Sequence, residues 1–130
     1  MNKLTLIITF FVSISVFPST TFAKWVNLGE DVNGVTYYIE DERIRERDGY
    51  IFFWDLRNYP KPDEYGTFSA QKYRKVDCNA FRFKYLTHHI YKKQMGKGLP
   101  SDTLNEQDID WKYPRPNSAN EMMLNFVCGQ

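Results

Sequence analysis

Residues 67–92, TFSAQKYRKVDCNAFRFKYLTHHIYK, decide the fold that this sequence can adopt. The stretch is rich in aromatic and basic residues and contains neither proline nor glycine, which is typical of long strands. The segment DCNA at residues 77–80 divides this stretch. The stretch therefore predicts two strands joined by a turn. In the second strand the apolar side chains change faces at Leu86, which indicates a twist or a bulge.

Further strands are predicted before this hairpin. Residues 25–28 and 35–40 are β-rich, and Asn33-Gly34 between them favours a tight turn. Residues 50–58 have the strongest strand pattern, with large side chains alternating between two faces. The charged residues 41–48 and the proline-containing residues 59–66 are predicted to be connections, because prolines cannot donate to a strand ladder.

The end of the chain predicts the only helix. Residues 95–117 have a loop-like composition with several glycines and prolines. Ser118 and Glu121 fit a capping box, and apolar residues then continue to Cys128 before Gly129. Strands followed by one helix predict an α+β fold, a small antiparallel β-sheet with the C-terminal α-helix on one face. We expect Trp54, Phe83 and Phe126 to belong to the core of this fold and to contribute to its stability.

The first 23 residues are predicted to be a secretory signal peptide. Lys3 precedes an apolar run at residues 4–17, and Thr21-Phe22-Ala23 suits cleavage before Lys24. A transmembrane anchor is the alternative, but a span needs ~20 apolar residues and this run is shorter. Residues 24–130 are then a single domain without a membrane span. Lys24 also occupies the position where a bacterial lipid anchor would need cysteine.

The charge balance argues against a nucleic-acid partner. The chain has 17 basic and 16 acidic residues, and cleavage of the signal removes one lysine and no acid. The remaining chain is formally neutral, whereas nucleic-acid binding requires a concentrated positive field.

Cys78 and Cys128 are the only cysteines, so an exported chain allows one intrachain pairing. A Cys78–Cys128 disulfide would close a loop of about 50 residues and stabilise the fold by ~4 kcal/mol in the chain-entropy model. A free reactive thiol is the alternative. No CxxC motif accompanies either cysteine, which favours the structural bridge.

No catalytic or metal-binding motif is present. His88 and His89 are neighbours on a predicted strand, so they point to opposite faces and cannot easily chelate one metal ion. With both cysteines paired, a zinc site lacks ligands, and we expect neither metal nor cofactor. A single histidine as an axial haem ligand stays open, as does an enzyme whose residues assemble only in the fold.

Two groups of residues have a functional and a structural interpretation. Asp55 and Asp77 interrupt strands as possible buried acids, although such residues more often face solvent or pair with Arg or Lys. Aromatic residues make up 17% of the chain and could build a sugar- or ligand-stacking site, although most would belong to the core. The aromatic candidates for such a site are Tyr59, Tyr65, Trp111 and Tyr113.

The order of several motifs resembles the surface-adhesin protein E family of Gram-negative bacteria. These motifs are VTYYI at residues 35–39, FWDLRNY at 53–59, VDC at 76–78 and RFKYL at 82–86. They continue with MGKG at 95–98, Trp111 before Pro114 and Pro116, and a helix from Ser118 to Cys128. The resemblance covers essentially the whole of residues 24–130.

This resemblance implies a curved antiparallel sheet to which the Cys78–Cys128 disulfide holds the C-terminal helix. It also implies a non-enzymatic adhesin that binds host extracellular-matrix or serum proteins and forms a homodimer. Without the lipid-anchor cysteine, we expect a periplasmic or secreted protein. A periplasmic small-ligand or haem binder is the first alternative, and an enzyme or enzyme inhibitor is the second.

Exposed segments at residues 59–66, 88–93 and 97–112 are expected to carry protein binding, because loops tolerate variation and commonly carry recognition. The candidate protein-binding residues are Tyr59, Tyr65, His88, His89, Lys92, Lys93, Lys97 and Trp111.

Overall fold

The structure is a computed structural model that describes residues 24–105 and 110–129. The predicted signal peptide at residues 1–23 and its cleavage site before Lys24 lie outside the part whose arrangement can be described. The strands are β1 Trp25–Glu30, β2 Thr36–Glu40, β3 Arg45–Arg47, β4 Tyr50–Asn58, β5 Ser69–Asp77, β6 Arg82–Tyr91 and β7 Asp102–Asn105. They are followed by one α-helix, α1 Ala119–Cys128, and short 3-10 turns lie at Asp41–Arg43 and Gln94–Gly96.

The strands form one antiparallel sheet in the order β1-β2-β4-β5-β6-β7, with β3 paired to β4. The α+β fold predicted from the sequence is therefore confirmed. Within the described residues, α1 and the short turns are too short or too polar to cross a bilayer.

The central hairpin confirms the prediction for residues 67–92. β5 and β6 pair over their whole length, and Asp77 closes the turn by accepting the N–H of Ala80 at 3.3 Å. The register changes because Tyr73 pairs with Thr87 whereas Arg74 pairs with Tyr85, which leaves Leu86 as an extra residue. This bulge is the physical cause of the change of faces seen in the sequence.

Two strands were not predicted, β3 and β7. Both consist of exposed, mostly charged or polar residues, so neither has the apolar alternation that indicates a strand. β3 forms because Asp48 and Gly49 both have positive φ, at 53° and 81°, which suits the tight turn that returns the chain into β4. β7 forms by pairing with the edge of β6.

The helix begins at the predicted cap. Ser118 Oγ accepts the N–H of Glu121 at 3.2 Å. The Glu121 carboxylate accepts the N–H of Asn117 at 3.1 Å rather than that of Ser118, so the capping box is displaced by one residue. Gly129 follows the last turn, as predicted, and donates its N–H to the carbonyl of Asn125.

The core lies between α1 and one face of the sheet, and the disulfide fastens one end of it. Cys78 at the β5–β6 turn is bonded to Cys128 at the end of α1, with Cα atoms 5.6 Å apart. The predicted disulfide is confirmed. The buried apolar cluster consists of Ile39, Phe53, Val76, Phe83, Met123, Leu124 and Val127.

A buried polar layer continues this core beneath the start of α1. Asp55 and Arg74 are both fully buried and form an ion pair. Asn120 Oδ1 accepts from Arg74 Nη1 at 2.8 Å and from Arg57 Nη2 at 2.9 Å. Asp55 is thus both buried and paired. Asp77 pairs with Arg82 at 2.9 Å, so the expectation of cationic partners is confirmed for both acids.

Candidate functional site

The loop between β4 and β5, residues 59–66, has a defined shape because Asp63 organises it. Asp63 Oδ1 accepts the N–H groups of Tyr65 and Thr67, each at 2.9 Å. The N–H of Asp63 donates to the carbonyl of Thr67 at 3.0 Å. Lys92, just after β6, donates from Nζ to the carbonyl of Tyr65. The loop and the end of β6 therefore form one continuous surface.

A cleft of about 430 Å³ opens between this loop, β6 and the start of β7. Tyr59 and Tyr65 line it from the loop, His88 and Lys92 line it from the β6 side, and Asp102 lines it from β7. Four of the predicted binding residues, separated by up to 33 positions in the chain, thus meet around one space.

The floor of the cleft is the part of the sheet that α1 leaves uncovered. Ala70 and Ile90 lie opposite each other on β5 and β6 and contribute the floor. They lie on the same side of the sheet as Arg74, because alternate residues of a strand share a face. The cleft and the helix therefore occupy different ends of one sheet face.

The cleft is chemically mixed. Burial raises the pKa of Tyr59, so its phenol is neutral at physiological pH and can donate a hydrogen bond. Asp63 and Asp102 contribute carboxylates, and Lys92 contributes an ammonium group. Ring surface, a hydrogen-bond donor and both signs of charge suit recognition of a polar or charged group. In the part of the chain that the structure describes, no three His, Cys, Asp or Glu side chains lie close enough together to hold a metal ion.

His89 and Trp111 lie on the opposite face of the sheet from the cleft. His89 stacks on Trp54 with ring centroids 5.4 Å apart, whereas His88 lines the cleft. The prediction that these two histidines point to opposite faces is therefore confirmed. Trp111 is placed by its neighbour Lys112, whose main chain exchanges two 2.9 Å hydrogen bonds with Phe83.

The family model for surface-adhesin protein E matches residues 25–129. The chain belongs to the surface-adhesin protein E family. The fold agrees with crystal form II of Haemophilus influenzae protein E, with a TM-score of 0.58, 19% identity and coverage of 86% of this chain and 92% of that one. Protein E from non-typeable H. influenzae gives a TM-score of 0.53 and 18% identity, over 86% of this chain and 80% of that one. The comparison with curated proteins gave no significant match.

Membership of the surface-adhesin protein E family confirms the resemblance seen in the sequence and makes this chain an adhesin-like binding module. At 18–19% identity the likeness to the solved structures establishes the fold alone. Recognition by this surface-adhesin protein E domain therefore depends on its own side chains.

Lys93 and Lys97 of this surface-adhesin protein E domain are exposed but do not line the cleft. Lys93 follows Lys92 directly, and its carbonyl accepts from Ser69 Oγ at 2.6 Å. Lys97 follows the 3-10 turn Gln94–Gly96. Both lysines therefore lie on the segment that leaves the cleft, where they can add positive charge to its surroundings.

Sequence reasoning missed a second groove of about 640 Å³, which lies between the β1–β2 turn and α1. Asp31 and Tyr37 line it on one side, and Glu121 and Met122 line it on the other. Burial and a 2.8 Å hydrogen bond to Asp31 raise the pKa of Tyr37 to about 12. No sequence signal indicated this groove, because its two sides are separated by most of the domain.

Proposed function

We propose that this chain is an exported, non-enzymatic adhesin-like module that recognises host extracellular-matrix or serum proteins around the cleft. The observation that carries the proposal is the convergence of Tyr59, Tyr65, His88 and Lys92, which come from separate segments of an adhesin-family chain.

The outer rim of the cleft has the chemistry of a protein-binding surface. Tyr65 is 74% exposed although the backbone of its loop is held by Asp63 and Lys92. An exposed aromatic ring on an ordered loop can bury a large area at a small entropic cost, and tyrosine is enriched at interfaces. Lys92 at the rim and Lys93 directly after it add positive charge there, and such charge mainly increases the rate of association.

Reversing the rim charge is the first test of this proposal. The double variant Lys92→Glu/Lys93→Glu is expected to weaken binding to a responding matrix or serum protein by roughly tenfold, equivalent to about 1.4 kcal/mol. Purified residues 24–130 would be passed over immobilised host proteins, and equilibrium binding would be measured by surface plasmon resonance.

Two further variants make this test specific. Tyr65→Ala removes an exposed ring without disturbing the core and should weaken the same interaction. Arg45→Glu/Arg47→Glu makes an identical charge change on exposed residues of β3 and should leave the interaction unaltered. Recognition at the cleft would be contradicted if all three variants lost the same binding affinity, or if binding were saturable and none of the variants changed it.

A small-ligand or haem binder is the second candidate, because a cleft of about 430 Å³ is of a size that small molecules occupy. His88 and two tyrosines line it, and both residue types serve as haem ligands. A haem titration followed by absorbance would separate the two candidates. A Soret shift that His88→Ala abolishes, together with no binding to any host protein, would replace the adhesin proposal.

Export is part of the proposed function. We expect signal peptidase to cleave between Ala23 and Lys24, because Thr21-Phe22-Ala23 precedes that bond. N-terminal sequencing of the exported protein should begin at Lys24, and a sequence beginning at Met1 would disprove processing. Protease treatment of intact cells would distinguish surface display from a periplasmic location. Dimer formation also stays a prediction, and sedimentation equilibrium would measure it.

A further inference from the structure

The sheet face opposite α1 and the cleft carries a nearly continuous series of aromatic rings. Trp54 lies between Tyr73 and His89, with ring centroids 4.9 and 5.4 Å away. Tyr73 also contacts Phe52 at 6.1 Å. Further along the same face Tyr50 stacks on Trp111 at 5.8 Å. All these residues are partly exposed, so the series forms part of the surface rather than a closed core.

Basic side chains lie across these rings. Lys75 Nζ is 4.1 Å from the centroid of Tyr50, and the guanidinium of Arg47 is 4.2 Å from that of Phe52. Arg82 and Lys84 lie 4.4 and 4.6 Å from the Trp111 centroid. Cation–π contacts restrict these long side chains, so less conformational entropy remains to be lost when an anion binds.

The strand register places part of this charge in a row. Arg45 lies opposite Phe52, Phe52 lies opposite Lys75, and Lys75 lies opposite Lys84. The row runs across β3, β4, β5 and β6, and its ends are ~14 Å apart at the ordinary strand spacing. We name the surface built by this row, together with Arg47, Arg82 and the rings, the cationic face.

Within strands β3 to β6, acidic side chains compensate only part of this charge. On the cationic side of β3 to β6, all of whose residues the structure describes, the one acid is Asp77, and Arg82 neutralises it. Hydrogen bonding from Arg82 lowers the pKa of Asp77, so this pair is fully formed at neutral pH. Arg47 and Lys75 form no ion pair with any residue in 24–105 or 110–129. On these four strands the cationic face therefore carries more basic than acidic side chains, on a chain that is close to neutral.

Within residues 24–105 and 110–129, helix α1 and the 3-10 turn after β6 leave most of this face exposed. The helix packs on the other side of the sheet, and the 3-10 turn Gln94–Gly96 covers only the end near Ser69, whose Oγ accepts the N–H of Gly96 at 2.9 Å. Arg45 and Arg47 on β3 are exposed. A row of basic side chains across four strands suits an anionic partner with an extended shape.

We propose that the cationic face binds a linear acidic polysaccharide, with sulfate or carboxylate groups meeting the row Arg45, Lys75 and Lys84 and with Arg47 beside it. Guanidinium and ammonium groups form strong charge-assisted hydrogen bonds with such anions. Cation–π contacts with the aromatic rings beneath hold Arg47, Lys75 and Lys84 in place. This surface is separate from the cleft, so the proposal stands independently of host-protein recognition.

Single-stranded nucleic acid is the less suitable occupant. Proteins that bind it stack bases on open aromatic faces. Here cations already lie 4.1–4.6 Å from the rings of Tyr50, Phe52 and Trp111, so little open ring face is available to bases. An acidic polysaccharide can bind through the charges and does not require open ring faces.

Heparin is the probe for the test, and uncharged dextran is its control. Isothermal titration of residues 24–130 should show heparin binding that weakens steadily with added salt, and no binding of dextran. Arg47→Glu/Lys75→Glu should raise the heparin Kd by roughly tenfold or more, since tenfold requires a loss of only about 1.4 kcal/mol from two reversed charges. Lys92→Glu/Lys93→Glu makes the same net charge change at the cleft and should raise it less than about threefold.

A milder variant keeps the test valid if charge reversal disturbs the fold. Arg47→Gln/Lys75→Gln removes both charges but keeps polar side chains of moderate length, and it should weaken heparin binding while circular dichroism stays unchanged. In the wild-type protein, amide NMR signals of residues 47, 75 and 84 should shift with heparin while those of residues 65 and 92 stay fixed. Equal losses at the cationic face and the cleft, or tighter binding of single-stranded DNA than of heparin at the same salt, would overturn the proposal.

Discussion

Removing the Cys78–Cys128 disulfide is expected to lower the free energy of unfolding by about 4 kcal/mol. The bond joins residues 50 positions apart, so it restricts a large part of the unfolded chain. It also holds the end of α1, which contributes Met123, Leu124 and Val127 to the core. The double variant Cys78→Ala/Cys128→Ala should therefore melt roughly 15–30 °C below the wild type for a domain of this size.

Urea denaturation followed by circular dichroism would measure this effect, and reduced wild-type protein is the matched control. Both should lose similar stability, because both lack the cross-link while differing in side-chain volume. The single variant Cys128→Ala would test the helix end alone. Midpoints unchanged in all three samples would mean that α1 docks on the sheet without help from the bond.

The elements that the sequence predicted well have a strong local cause. The hairpin at residues 67–92 has high β-propensity without a breaker, and α1 begins at a serine cap and ends before glycine. β3 and β7 could not be found in this way, since they are polar edge strands that exist only because β4 and β6 offer them a ladder. Tertiary pairing decided these two strands.

The candidate site was predictable in its parts but not in its arrangement. Strand alternation correctly separated His88 from His89. The meeting of Tyr59, Tyr65, His88 and Lys92 depends on how residues 59–66 fold against the end of β6, which no local pattern indicates. The position of Trp111 depends in turn on a single bridge between Lys112 and Phe83.

Trp54 and Asp55, neighbours on β4, also show that a local pattern does not determine tertiary arrangement. Trp54 was expected in the core, yet it is partly exposed on the cationic face and stacks on Tyr73. Asp55 was expected to be solvated or paired, and it is fully buried beside Arg74. Alternation correctly placed the two residues on opposite faces. Which of those faces would receive the helix depended on the apolar side of α1 and on the disulfide, and neither belongs to β4.

The Asp55–Arg74 ion pair predicts the other large effect. Asp55→Ala should lower the free energy of unfolding by about 3–5 kcal/mol, because it leaves a buried guanidinium without its counter-charge. Burial by itself would lower the pKa of neighbouring Arg57, and the Asp55 carboxylate raises it above its usual value. Loss of Asp55 therefore leaves two guanidinium groups, both bonded to Asn120, without the carboxylate that stabilises their charge.

The double variant Asp55→Leu/Arg74→Met separates the removal of a charge from the loss of packing. Arg74 lies among the rings of Phe53, Phe83 and Tyr85, at 5.7, 5.2 and 4.8 Å from their centroids, so methionine can occupy an apolar site of suitable length. Replacing both partners of a buried pair by apolar residues is often neutral or stabilising. Urea denaturation should therefore show the double variant to be more stable than Asp55→Ala by several kcal/mol. A double variant as unstable as the single one would mean that the hydrogen bonds to Asn120, and not charge neutralisation, hold α1 on this end of the sheet.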